Sequence, residues 1–492
     1  MLFLFTLIAV KDWQIPKVTL PIVWIATIPI LQMLFGQISF FQDTVFSLLY
    51  LFGFLLSLWA SYQLIRQYKE QFFEKFAIAL ILVGLAAACI AVMQWLGIKH
   101  QWILNFVSNR PYGNTGQPNH LATLLAVSTL SALYLYEQNK LKSYLSILFI
   151  AFFIFVIALT QSRTVWISSI LITLFLLFHR FQHNLRTPSY MIVLGLGFYY
   201  LSMWLPKWLS HILSTQSSFH IVETAVGVER ASGGHDRVDM WYQMWVALKQ
   251  QPWSGYGWYQ TTAAEYAASP QQGMHLWYNS AHNIVIDMLI WNGIILGAVI
   301  VIYFIYLFGK MILRAKQKHT IIATMMMLAI FTHALLEYPI FYSYFLLLFA
   351  ITCGIALDDL KSQHIRLSLG VNSAMYIAYL SVFALMVGQY LYWDMANDKS
   401  RLALYGNKSY LYDKLATRQK WQYTDTKKVA TKAQLQMADR IIKEYLTAQN
   451  LKRYAQYLAY NGQMDLAQHQ LDILAAMYNE HVTIQEVMRM KF

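Results

Sequence analysis

His282-Asn283 is followed by Ile284–Phe308, IVIDMLIWNGIILGAVIVIYFIYLF, and this stretch decides the class of the protein. At about 1.5 Å of rise per residue, such an apolar run is long enough to cross a hydrocarbon core of about 30 Å as a helix. A long polar stretch, roughly residues 206–281, precedes it. A titratable imidazole therefore stands at the mouth of a membrane span, where it can act at the membrane surface.

Similar apolar runs recur along the 492 residues, at approximately 16–36, 44–64, 75–96, 119–136, 143–160, 164–179, 189–205, 283–308, 320–336, 340–357 and 371–393. The expected fold class is all-α, a polytopic integral membrane protein with about 11–12 transmembrane helices. Composition agrees: 58% of residues are hydrophobic and 12% charged, about half the charged fraction of soluble domains. Residues 1–10, MLFLFTLIAV, are too short to span and lack the basic start and small-residue cleavage site of a signal peptide. They read as the remainder of a helix whose beginning is lost or lies before a late start site.

Orientation follows the Lys/Arg bias of short loops. Arg66 and Lys69, Lys140 and Lys142, Arg180 and Arg186, Lys310 to Lys318, and Lys361 with Arg366 fall in alternate loops. Those loops are expected to be cytoplasmic. The loops 37–43, 97–118, 160–163, 206–282 and 337–340, with the tail from about 394, then face outward. The net charge of +13 is thus mainly a topology signal. A nucleic-acid partner would need a basic soluble face with interleaved aromatics, which is missing, so none is expected. Cys89 and Cys353 lie inside expected spans, where core packing is the expected role. No outward DxD pair indicates a metal site, and no cofactor is expected.

Four regions result: transmembrane helices over 1–205, a large outward loop over 206–282, further transmembrane helices over 283–393, and a helical tail over 394–492. Within the tail, LKRYAQYLAYNGQMDLAQHQLDILAAMYNEH reads as two amphipathic helices turning at Asn461-Gly462, like a tetratricopeptide hairpin. One hairpin buries little alone, so it must pack on neighbouring helices or on the membrane domain, as a cap or as an acceptor-docking module.

Polar clusters gather on the outward side. In Arg110-Pro-Tyr-Gly-Asn-Thr-Gly-Gln-Pro-Asn-His120, Gly113, Gly116 and Pro118 mark a non-helical entry into a span. Gln117, Asn119 and His120 stand at its helix start, where anions are favoured, and exceed what a helix cap needs. In the turn Gln161-Ser162-Arg163-Thr164 the guanidinium either snorkels to lipid headgroups or binds a phosphate. In the long loop, Gly233-Gly-His-Asp-Arg237-Val-Asp-Met-Trp241 continues to Trp245, and Pro252, Gly255 and Gly257 end that helix in a turn. Arg237, Trp241 and Trp245 share a helix face, with the aromatics at the interface or flanking a sugar. Asp287 lies one turn beyond His282-Asn283 and is functional or structurally partnered. The last cluster, Glu337-Tyr-Pro-Ile-Phe-Tyr342-Ser-Tyr344, brings one carboxylate and several phenols to a turn. Cations, a base and aromatics on one side of one membrane favour catalysis on a lipid-linked substrate over transport, whose sites lie nearer the midplane.

At these residues the chain resembles the O-antigen ligase superfamily of membrane glycosyltransferases. The pattern there is His-Asn, nine residues, then Gly-x-x-Gly; here His282-Asn283 and nine residues lead to Gly293, and the next glycine, Gly297, comes one residue late. That departure concerns helix packing more than chemistry. Arg237-x-x-x-Trp241 followed by Pro252-x-x-Gly255-x-Gly257 is also similar. Gly113-Asn-x-x-Gln117-Pro-Asn-His120 and Glu337-Tyr-Pro-Ile-Phe-Tyr342-Ser-Tyr344 look like the bacterial protein O-oligosaccharyltransferases of the PglL type.

The resemblance implies transfer of a preassembled glycan from undecaprenyl pyrophosphate to a Ser or Thr hydroxyl of an acceptor protein such as a pilin, without a metal, at the periplasmic face of the inner membrane. By motif, His282 is the expected catalytic histidine and Arg163 and Arg237 the pyrophosphate-binding arginines. Gln117, Asn119, His120, Asn283, Glu337, Tyr342 and Tyr344 are the expected substrate-site or supporting residues. As a general base His282 would give inversion; a carboxylate nucleophile, Glu337 or Asp287, would give retention. The competing expectations are an O-antigen ligase acting on lipid A core, an O-antigen polymerase, or a non-enzymatic lipid-linked sugar transporter.

Overall fold

The computed structural model describes residues 13–104, 110–183, 185–216, 235–273, 277–395 and 411–492. Residues 1–10 and Gly233-Gly234, on which expectations were placed, lie outside the described residues. Helices dominate. They run, in chain order, α1 Leu20–Leu34, α2 Phe41–Tyr68, α3 Glu70–Trp95, α4 Pro118–Glu137, α5 Ser143–Thr160, α6 Arg163–His183, α7 Ser189–Ser202, α8 Leu205–Gln216, α9 His235–Gln250 and α10 Thr261–Ala268. After the polar loop come α11 Ile284–Arg314, α12 Lys318–Ala334, α13 Ser343–Ala356 and α14 Leu369–Met395. The tail forms α15 Asp413–Gln422, α16 Lys432–Ile442, α17 Ala448–Tyr460, α18 Met464–Tyr478 and α19 Ile484–Arg489. Strands β1 Trp13–Pro16 and β2 His364–Leu367 form an antiparallel ribbon.

The protein is a multi-pass membrane protein: among the described residues, seven helices are long and apolar enough to cross a membrane. An eighth span results if α7 and α8, bent by 44°, count as one. Each of the eleven apolar runs does carry a helix, but α12 has 17 residues and α13 only 14. At 1.5 Å per residue, α13 extends about 21 Å, short of a hydrocarbon core. The EYP turn uses residues counted into that run: Pro339–Phe341 is a 3-10 turn and Tyr342 caps α13.

Two compact units are present. One comprises residues up to 18, 54–234 and 306–372; the other comprises 19–53, 235–305 and 373–492. In the first, small residues allow close helix contact, as expected where lipid removes the hydrophobic drive between helices. A Cβ at Gly84 of α3 would lie 2.3 Å from the Ser128 hydroxyl of α4. Cys353 is fully buried in this unit, whereas Cys89 is exposed on the surface of α3 rather than packed in a core. Its apolar side chain suits a lipid-facing surface.

In the second unit, the tail helices share one core. Trp421, Ile441, Leu451, Tyr457, Leu471 and Leu474 are buried together, and Tyr266 and Trp277 of the polar loop pack against them. The chain turns between α17 and α18 at Asn461-Gly462, where Asn461 holds the carbonyl of Lys428 and the amide of Ala430. The pair thus buries its apolar faces on α15, α16 and the loop. Lys414 ties the tail to the start of α2, with Nζ 3.1 Å from Asp43 and 2.5 Å from Glu444.

Candidate functional site

His282 sits in the second unit on the residue pair that starts α11. Asn283 is the reason the helix begins there. Its Oδ1 accepts the amides of Val285 at 2.9 Å and Ile286 at 3.3 Å, satisfying N–H groups that a helix start leaves unpaired. His282 itself adopts a left-handed φ of 52°, uncommon for a residue with a Cβ. Several groups hold it there. Its amide donates to the Ser280 hydroxyl at 3.1 Å, and its Nδ1 lies 3.1 Å from the Ser280 carbonyl. A carbonyl only accepts, so Nδ1 carries the proton in that contact and Nε2 is the basic nitrogen of the neutral ring.

Asp287 is structurally partnered. It is 1% exposed, and it accepts the Ser280 hydroxyl at 2.7 Å, the Ala281 amide at 2.9 Å and the Thr261 hydroxyl at 3.0 Å. From the other side, Trp241 Nε1 donates to the Ala281 carbonyl at 2.9 Å. Glu265, fully buried on α10, accepts the Tyr278 amide at 2.9 Å. Burial pushes the Glu265 carboxyl up to about 8, against the lowering effect of that amide. The segment Tyr278–His282 is thereby clamped by two carboxylates and an indole.

The Pro-x-x-Gly-x-Gly loop and the glycine of α11 form one joint. Helix α11 breaks at Gly293, with φ 75° and ψ 173°. The freed amides and carbonyls pair with the loop: Ile294 N–H to the Pro252 carbonyl at 2.7 Å, Tyr256 N–H to Ile290 at 2.8 Å and Gly257 N–H to Trp291 at 3.0 Å. A Cβ on Gly255 would come within 2.5 Å of the Gly293 amide, and one on Gly293 within 2.3 Å of the Trp253 carbonyl. The bend brings Gly297 against the first segment of its own helix, 2.7 Å from the Met288 carbonyl by the same measure. The displaced second glycine therefore serves helix packing.

On α9 the buried stripe is Met240, Gln243, Met244, Ala247 and Leu248. Arg237, Trp241 and Trp245 lie beside it: Arg237 and Trp241 are half-buried, and Trp245 is exposed under Lys249.

The remaining candidates belong to the first unit. Gln117 precedes α4 in an extended conformation and does not cap it; its Nε2 donates to the Tyr338 hydroxyl at 3.2 Å. Asn119 links Arg110 to Glu337: its Oδ1 accepts from Arg110 at 3.0 Å and its Nδ2 donates to Glu337 at 3.3 Å. Glu337 is nearly buried. His120 is a core residue, 1% exposed, enclosed by the rings of Tyr342, Phe345 and His333. Its Nδ1 is 2.9 Å from the Tyr344 hydroxyl, which also reaches the Thr115 carbonyl at 3.1 Å. Tyr342 and Tyr344 thus join the EYP turn to the GNTGQPNH loop. Arg163 begins α6, half-buried, directly after Gln161 turns the chain with φ 49°.

Sequence reasoning missed three contributors. Arg110 binds the carbonyls of Thr160 at 2.6 Å and Gln161 at 3.4 Å, fastening the GNTGQPNH loop to the turn that presents Arg163. Its position at the head of the motif was the available signal. Ser280 and Glu265 gave none, because their roles depend on partners distant in the chain. Among the described residues, no group of three or more His, Cys, Asp or Glu side chains could hold a metal ion.

Comparison with known proteins identifies the family. The O-Antigen ligase family matches residues 147–302, from α5 through the break in α11, and the Protein glycosylation ligase family matches residues 111–136. The chain is 31% identical to a general O-oligosaccharyltransferase of Acinetobacter baylyi over 97% of its own length and 86% of that protein's. It is 27% identical to a ComP-specific O-oligosaccharyltransferase of the same organism, over 92% and 84% of the two chains. No solved structure matches. The chain belongs to the O-oligosaccharyltransferases, membrane glycosyltransferases related to the O-antigen ligases.

Proposed function

We propose that this protein transfers a preassembled oligosaccharide en bloc from undecaprenyl pyrophosphate to a Ser or Thr hydroxyl of an acceptor protein, a pilin or another exported protein, at the periplasmic face of the bacterial inner membrane. Family membership supports O-linked protein glycosylation as the activity. The observation that carries the chemistry is the contact of His282 Nδ1 with the Ser280 carbonyl, which leaves Nε2 as the base.

A hydroxyl is a weak nucleophile near neutral pH. As its oxygen bonds to the anomeric carbon, its proton passes to His282 Nε2, and undecaprenyl pyrophosphate leaves with the electron pair of the glycosidic C–O bond. Arg163 and Arg237 take the role of neutralising the charge that grows on the pyrophosphate, to which a guanidinium fork is suited. Asn119 and Glu337 support the donor side through the network around Arg110, and Gln117, Tyr342 and Tyr344 through the contacts that join Glu337–Tyr344 to residues 113–120. Asp287 is engaged by three donors within a buried pocket, which supports direct displacement with inversion over a covalent route through that carboxylate.

The test combines the purified protein, a lipid-linked oligosaccharide, a candidate pilin and lipid A core. A mass increase on the pilin equal to the glycan is expected. Glycan appearing on lipid A core instead would make the protein an O-antigen ligase, and no covalent product would favour a transporter. The anomeric configuration of donor and product decides between inversion and retention.

A further inference from the structure

A second gathering of cations lies in the first unit, at the ends of helices whose loops carry the Lys/Arg excess. A cavity of about 400 Å³ is lined by Arg66, Lys69, Gln317, Asp358, Lys361 and His364. That volume lies in the range of small-ligand sites. The guanidinium of Arg66 is held in place: its Nη1 donates to the Tyr62 hydroxyl at 2.8 Å and lies 2.9 Å from His364 Nε2. Arginine only donates, so His364 accepts there and is neutral. Burial, then the charge of Arg66, holds His364 below its ordinary value.

The lining carries three cationic side chains, Arg66, Lys69 and Lys361, against one carboxylate, Asp358. Asp358 is already paired with His319 at 2.9 Å. The neighbouring Asp359 accepts the amides of Lys316 and Gln317 and the hydroxyl of Thr320. Among the described residues no carboxylate pairs with Arg66, Lys69 or Lys361. Lys69 sits at the sharp break between α2 and α3 with φ 45°, so the lining includes a strained residue where a relaxed turn would be the lower-energy choice. Immediately after β2, which carries His364, the exposed Leu369 and Val371 open the apolar helix α14.

We infer that this cavity binds the phosphate headgroup of an anionic membrane phospholipid, whose acyl chains lie along the exposed apolar start of α14. A fixed guanidinium and two unpaired ammonium groups suit one phosphodiester. The apolar neighbours and the adjoining span select a lipid over a soluble phosphate, which offers nothing to them. None of its lining residues is among the candidate catalytic or donor-binding residues.

The full-length protein in detergent is mixed with phosphatidylglycerol or phosphatidylcholine, and retained lipids are counted by native mass spectrometry. Phosphatidylglycerol should be retained preferentially. Lys69→Gln combined with Lys361→Gln should weaken that retention more than tenfold, since each cation near an anionic headgroup is worth about fivefold. Both lysines are exposed, and an unchanged melting curve verifies that the variant is folded. If it is not, Lys361→Gln alone gives the same reading. Equal retention of the two lipids, or unchanged retention by the folded variant, overturns the site. Inorganic phosphate binding to the delipidated protein as strongly as phosphatidylglycerol does overturns the lipid as occupant.

Discussion

The hydroxyl of Ser280 donates to Asp287 at 2.7 Å and accepts the amide of His282 at 3.1 Å. One side chain thus connects a buried carboxylate to the backbone of the proposed base. Its own carbonyl meets the imidazole. A histidine with φ of 52° costs on the order of 1–2 kcal/mol, and the Asp287–Ser280 pair is what holds the chain in that conformation. With three protein donors on it, the carboxylate is assigned a positioning role for the proposed base.

Replacing Asp287 with Asn should therefore lower turnover by about tenfold or more while leaving the donor KM nearly unchanged. An amide turns one acceptor into a donor facing Ser280, Ala281 or Thr261, which disrupts a buried set worth about 1–3 kcal/mol per unsatisfied group. Ser280→Ala should act in the same direction, and Ser280→Thr, which keeps the hydroxyl, should recover part of the rate. Steady-state kinetics of the three variants separate this from general unfolding, which would remove donor binding as well.

His282→Ala should abolish transfer, with a loss of about 10²–10⁴-fold from removal of general-base catalysis, while lipid-linked donor still binds. The measurement is single-turnover glycosylation alongside donor binding to the detergent-solubilised protein. Near-normal turnover would return His282 to a structural role at the head of α11.

Much of this arrangement was legible in the sequence. Every apolar run carries a helix, and the turn at Asn461-Gly462 stands where the amphipathic spacing breaks. What escaped was non-local. The pairing of Pro252 to Gly257 with the break at Gly293 consists of backbone hydrogen bonds, which leave no periodicity to read. Asp287 was expected to be functional or structurally partnered, but its donors Thr261 and Ser280 precede the span and could not be named from spacing. His120 was expected at a helix start as a substrate-site or supporting residue, and its burial was not readable because its ring partners, Tyr342 and Tyr344, come more than 200 residues later. Spacing also overestimated α13, since residues of the EYP turn are apolar enough to extend its run.

Gly293→Ala should be among the most damaging changes to folding. A backbone with φ 75° and ψ 173° is almost confined to glycine, and the conformation alone costs about 1–3 kcal/mol in other residues. The added methyl would also overlap the Trp253 carbonyl, a backbone atom that cannot rotate away. The expected result is loss of monodisperse protein in size-exclusion chromatography. Gly309→Ala, on the same helix with open space around it, should be tolerated.

Arg163→Ala and Arg237→Ala should each raise the KM for the lipid-linked donor about tenfold or more, with a smaller effect on the acceptor KM. A charge-assisted bond to a phosphate oxygen is worth about 1.5–3 kcal/mol. Lysine at either position should restore only part, because it supplies the charge without the planar fork. Donor titration of the four variants checks this. Unchanged donor affinity in the Arg163 variant would leave that side chain as a headgroup anchor at the start of α6.

Glu265 gives the fold a dependence on pH. Its ordinary value is 4.5 and burial raises it to about 8 in the folded chain. Below about 4.5 the carboxyl is protonated whether the chain is folded or not, so it contributes no slope. Between about 4.5 and 8 the unfolded chain gives up its proton while the folded chain keeps it, so stability falls as pH rises. Above that window both states are ionised and the penalty is complete. Glu265→Gln keeps an acceptor for the Tyr278 amide and removes the titration. Its melting temperature should match the parent's near pH 4.5 and exceed it by a growing margin towards pH 8. Melting curves of both proteins across that range test the assignment; a constant difference would mean that Glu265 titrates normally in the folded chain.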